Sequence, residues 1–102
     1  MDILEILQDL LEGFESQRLV ANTDTGTLDA DFFHKDKDLT ISIFGSSHCL
    51  EIQAWEDSQK VGDFTVLKNG GKITNNKITG PLPDVEIILS RLALRLISEF
   101  QN

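Results

Sequence analysis

The stretch Leu39-Thr40-Ile41-Ser42-Ile43-Phe44-Gly45-Ser46-Ser47-His48-Cys49-Leu50-Glu51-Ile52-Gln53-Ala54-Trp55 decides the fold. Leu39, Ile41 and Ile43 alternate with Thr40, Ser42 and Phe44, and after a break Leu50, Ile52 and Ala54 alternate with Cys49, Glu51, Gln53 and Trp55. Successive side chains of a strand point to opposite faces, so this period of two predicts two strands, each with one apolar and one mixed face. Gly45-Ser46-Ser47 between them has the small, turn-forming residues that reverse a chain, and the pair reads as an antiparallel hairpin.

The same pattern extends both ways. Upstream, Leu28, Ala30 and Phe32 alternate with Asp29, Asp31 and Phe33, between the turn sequence Asn22–Gly26 and the polar reversal Lys35-Asp36-Lys37-Asp38. Downstream, Glu56 to Lys60 reads as a turn and Val61 to Leu67 as a strand. Lys68-Asn69-Gly70-Gly71 then reads as a hairpin turn into a weaker strand, Lys72 to Thr79. Successive hairpins imply a meander.

Outside the strands the period changes. From Asp2 to about Ser16, the residues Ile3, Leu4, Leu7, Leu10, Leu11 and Phe14 recur at three- and four-residue spacing, which predicts an amphipathic helix. Asp2, Glu5, Asp9 and Glu12 line its other side, and Gly13 weakens its interior slightly. Gly80-Pro81-Leu82-Pro83 ends the sheet, with Pro83 suited to the first position of a closing helix. Val85, Ile88, Leu89, Leu92, Leu96 and Phe100 form that helix's main apolar face, and Ile87, Leu94 and Ile97 widen it. So wide an arc predicts packing on the sheet and the first helix, or on a partner chain. The expected architecture is therefore α+β, a single domain over 1–102. It has an N-terminal helix, an antiparallel four- or five-stranded meander and a C-terminal helix, with both helices on one face of the sheet. The other face is expected to be open, with Phe33, Phe44 and Trp55 among polar neighbours.

At 102 residues with 40% hydrophobic side chains, the chain suits one core and has no room for two. Its net charge is −8, and the distribution is uneven: residues 1–51 hold eleven acids and three Lys/Arg, residues 52–102 six of each. Such a first half repels a phosphate backbone, so direct nucleic-acid binding is not expected, while a basic protein partner is attracted. The start, MDILEILQDLL, carries acids where a signal peptide needs bases, and no apolar run approaches the roughly 20 residues of a membrane span. A cytoplasmic protein without membrane association is expected. Cys49 is the only cysteine, so no intramolecular disulfide forms.

Catalytic chemistry finds little support. Gly45-Ser46-Ser47-His48-Cys49 holds nucleophilic residue types, but neighbours on a strand point apart, so His48 and Cys49 do not read as a dyad. His34, His48 and Asp36 are the only candidate metal ligands near one another, and their spacing matches no metal motif. Lys68-Asn69-Gly70-Gly71-Lys72 lacks the glycine spacing and following helix of a phosphate loop. Neither an enzyme, a metal nor a cofactor is expected. Two candidate contact surfaces remain. Trp55, followed by Glu56 and Asp57, falls at the end of a strand on its non-core face, and Asp29, Asp31, Asp36 and Asp38 surround the first predicted hairpin. Core packing of Trp55 and plain solvation of the acids are the competing explanations.

The strand Leu50-Glu51-Ile52-Gln53-Ala54-Trp55-Glu56, a short turn, Gly62-Asp63-Phe64-Thr65-Val66-Leu67 and a closing helix together resemble small immunity proteins of bacterial polymorphic toxin systems. The segment from Leu39 to about Leu67 looks most like the TriTu immunity protein family. Trp55 and Glu56 match its motif by position, whereas the glycine that follows the Trp-Glu pair in the family is replaced here by Asp57 and Ser58. The resemblance implies neutralisation of a cognate toxin, basic nuclease domains among the candidates, by direct one-to-one binding. It implies no catalytic residue. Two other readings stand beside it: an acidic phage-type inhibitor or DNA mimic that blocks a nucleic-acid-binding protein, and a secretion-chaperone-like dimer suggested by the apolar arc of the last helix. Monomer and homodimer are both open.

Overall fold

The structure, a computed structural model, describes residues 3–22, 24–34, 36–78 and 83–101. Helix α1 (Ile3–Leu10) is followed by six strands, β1 (Phe14–Asn22), β2 (Thr27–His34), β3 (Leu39–Gly45), β4 (Cys49–Glu56), β5 (Gln59–Leu67) and β6 (Lys72–Ile78), and by helix α2 (Pro83–Gln101). The strands form one antiparallel sheet in sequence order, β1 to β6. This is the expected α+β meander, with six strands rather than four or five. The expected link Gly80-Pro81-Leu82 and the positions Asp2, Lys35 and Thr79 lie outside the described residues.

The additional strand replaces the second half of the expected first helix. Helix α1 stops at Leu10, and Gly13 takes a φ of 92°, a left-handed conformation that ends a helix rather than merely weakening it. Phe14 then opens β1 and packs edge-on against His34, with ring centroids 5.0 Å apart. The strand was invisible to periodicity because both its faces meet solvent: every residue after Phe14 is exposed. Alternation reports one-sided burial, and β1 has none.

The central strands carry the predicted faces. Ile41 stands opposite Phe32 and Ala54, Ile43 opposite Ala30 and Ile52, and Ile52 opposite Phe64, all fully buried or nearly so. Leu7 and Leu11 from the N-terminal segment, and Val85, Leu89, Leu92 and Leu96 from α2, join the same core cluster, so both helices cover this face. Each such side chain stabilises the fold by about 1.5–3 kcal/mol through burial. Residues 85, 89, 92 and 96 form one stripe of α2; Ile87 and Leu94, on the opposite stripe, are 57% and 70% exposed. The apolar arc is thus divided between core and solvent.

Two turns fix the frame of the sheet. Asp57 and Ser58 both have positive φ, 49° and 64°, giving the tight two-residue reversal that joins β4 to β5. In the β5–β6 turn, a Cβ on Gly71 would stand 2.6 Å from the backbone oxygen of Ile97, so only glycine lets α2 approach this closely.

Candidate partner-binding face

Strand alternation turns Asp29, Asp31 and Phe33 of β2, Thr40, Ser42 and Phe44 of β3, and Glu51, Gln53 and Trp55 of β4 away from the helices. Register lines them into cross-strand rows. One row runs Val20, Asp29, Phe44, Glu51, Thr65; the next runs Arg18, Asp31, Ser42, Gln53, Asp63, Lys77; a third runs Glu15, Phe33, Thr40, Trp55, Lys60. Phe44, 41% exposed, therefore has a carboxylate on the strand to either side.

These polar side chains hold one another. Trp55 Nε1 donates to Gln53 Oε1 at 3.1 Å, and Gln53 Nε2 donates to Glu51 Oε1 at 2.9 Å, a chain along one face of β4. Ser42 Oγ, itself buried, donates to Asp31 Oδ1 at 2.8 Å. Arg18 reaches Asp29 at 2.8 Å and Lys60 reaches Asp63 at 3.0 Å. The other carboxylate oxygen of Asp63 is buried without a hydrogen-bond partner among the described residues.

A second acidic group lies at one end of the sheet, where the β2–β3 and β4–β5 turns meet. Here Asp38 and Asp57, far apart in sequence, are brought together, and the hydrogen bond the protonated Asp38 carboxyl can make to Asp57 is the main cause holding it above its usual value. Desolvation and the negative charges of Asp57 and Glu56 act in the same direction. Lys37 in the same turn donates to Asp84 of α2 at 2.7 Å, and this hydrogen bond and charge hold the Asp84 carboxyl below its usual value. The Asp36 backbone N–H donates to His34 Nδ1 at 3.1 Å. The opposite end of the sheet carries His48, Lys68 and Lys72, with Lys68 Nζ bonded to the Gly26 carbonyl at 3.1 Å.

The predicted contact residues therefore divide. Asp29, Asp31 and Trp55 share the open face; Asp38 and Asp57 meet at the sheet end; Glu56, opposite Leu39, belongs to the helix side; Asp36 stands in the turn, bonded through its backbone to His34. Ser42, Glu51, Gln53 and Phe44 join the face beside them. Glu51 and Gln53 were accessible from the sequence, since they precede Trp55 by four and two residues on one strand. Arg18 and Asp63 needed the register. The Gly45–Cys49 run forms a turn in which Ser46 Oγ accepts the backbone N–H groups of His48 and Cys49, each at 3.2 Å. Among the described residues no three His, Cys, Asp or Glu side chains converge as metal ligands, and no helix is long and apolar enough to cross a membrane.

Fold and face together define an α+β protein whose sheet is helix-covered on one side and open, acidic and aromatic on the other. No protein-family model, curated protein or solved structure matches the chain.

Proposed function

We propose that this protein acts by binding another protein on the open face of its sheet, as an immunity-type inhibitor. It holds one basic toxin domain in a one-to-one complex in the cytoplasm of the producing cell. The observation that carries this reading is the ordered open face: Phe44 stands between Asp29 and Glu51, beside the bonded chain Glu51–Gln53–Trp55. Side chains already fixed in the free protein lose little rotamer freedom on binding, and an exposed aromatic flanked by carboxylates suits the arginine and lysine side chains of a basic partner. The net charge of −8 speeds encounter with such a partner. Binding rather than catalysis is the proposed activity, with no cofactor.

The DNA-mimic reading fits this face less well. A mimic needs bare carboxylates in phosphate-like array, whereas Asp29 and Asp63 are each paired with a base of their own chain. The decisive experiment takes the small C-terminal domain encoded immediately upstream of this gene, mixes it with the purified protein and measures stoichiometry and association rate. A one-to-one complex whose association slows as salt rises, and protection of cells against that domain alone, are expected. Competition with DNA for several unrelated basic proteins would move the assignment to a DNA mimic, and no complex with the neighbouring domain would overturn it.

A further inference from the structure

The two edges of the sheet are built differently. β6 carries Lys72 and Lys77 and lies beneath α2, which packs over β5 and β6. Lysines and a covering helix are common means of preventing one sheet edge from pairing with another. β1, at the other end of the strand order, has a strand neighbour on one side only, and all of it after Phe14 is exposed. Leu19 and Val20 are 40% and 58% exposed on its two faces. Its one base, Arg18, is bound to Asp29, so it does not guard the edge as a free charge. Gln17 interrupts the register, leaving 18–22 as a regular segment.

We infer that this edge pairs with the same edge of a second copy, antiparallel about Val20, joining two sheets into one. The segment is self-complementary in that register. A two-fold axis normal to the sheet sets Val20 against its own counterpart, Leu19 against Ala21 in each direction, and Arg18 against Asn22. Large thus meets small, and no like charges stand directly opposed. Electrostatics select this strand further. β1 has one acid and one base in a chain of net charge −8, so its sequence adds no net charge to the contact. The open-face acid level with Val20, Asp29 on β2, would stand three strand spacings from its counterpart, about 14 Å. That exceeds the screening length of about 8 Å at physiological salt. The pairing leaves the open face of each copy accessible, so it does not depend on the proposed function.

Sedimentation equilibrium of the purified chain from micromolar to millimolar concentration tests the inference. The expected result is an apparent mass rising from 11.4 kDa towards twice that value, with backbone hydrogen exchange over 18–22 slowing as concentration rises. Val20→Lys, which places two ammonium groups on the axis at an exposed site, should return the mass to that of one chain with the circular dichroism spectrum unchanged. Ile87→Lys on the exposed stripe of α2 should leave the dimer intact. A single-chain mass at millimolar concentration overturns the inference, as does a dimer that survives Val20→Lys or dissociates with Ile87→Lys.

Discussion

The two faces of the sheet use the same strands for opposite purposes. On the helix side Phe32, Ile41, Ile43, Ile52, Phe64 and Val66 are closed off from water and interdigitate with Leu7, Leu89, Leu92 and Leu96. On the other side Ser42 is bonded to Asp31, Gln53 links Glu51 to Trp55, and Asp63 is paired with Lys60. The first set resists unfolding by excluding water. The second contributes little to stability, because polar pairs exchange bonds with water at small net gain.

The largest effect separating the two faces is expected for Phe64→Ala. Emptying a fully buried aromatic site should destabilise the protein by about 3–5 kcal/mol in urea unfolding. Trp55→Ala is the matching change on the open face. Its stability should fall by less than that, while on the proposed function affinity for the toxin domain should drop by about 2 kcal/mol or more, the size of effect found at interface hot-spot tryptophans. If Trp55→Ala destabilised the free protein as much as Phe64→Ala, the distinction between the faces would collapse. Ser42→Ala probes their boundary, because Ser42 is buried yet points to the open side. Withdrawing its bond to Asp31 should cost about 1 kcal/mol, readable by the same unfolding titration.

The smallest effects concern charge at the sheet end, and their signs differ. The Asp38 carboxyl is raised in the folded protein, so its contribution favours folding below the usual 3.8 and turns unfavourable as pH rises through the folded value. Asp38→Asn should therefore stabilise the protein slightly at neutral pH, and the gain should vanish in acid. The Asp84 carboxyl is lowered by Lys37, so it favours folding above 3.8 and ceases to do so as pH falls through its folded value. Asp84→Asn should cost stability at neutral pH and nothing in acid. Thermal midpoints at neutral and acid pH check both, and matching signs would break the contrast.

The candidate face is partly legible in the sequence. Alternation alone puts Asp29, Asp31 and Trp55 on the non-core side, and the structure places them there. Glu56 follows Trp55 in sequence, yet adjacent strand residues face apart, and register sets it opposite Leu39. Asp38 and Asp57 were separate candidates in sequence; they became one group only when two turns met at the same end of the sheet. The charge imbalance between halves was a correct count, but Arg18 and Lys60 each neutralise an acid of the open face from a neighbouring position.

By itself the sequence determined which side of each central strand is buried, that the sheet is a meander, and that helices flank it. Those properties follow from periods of two and of 3.6 residues and from short turns, all set by covalent geometry within a few residues. Only the tertiary structure decided that a strand starts at Phe14, which acids meet which bases, and that β1 lies beyond the helices' cover. Each of these depends on pairing between distant segments. A strand exposed on both faces has no burial pattern to announce it, and a register fixes contacts that no local spacing contains.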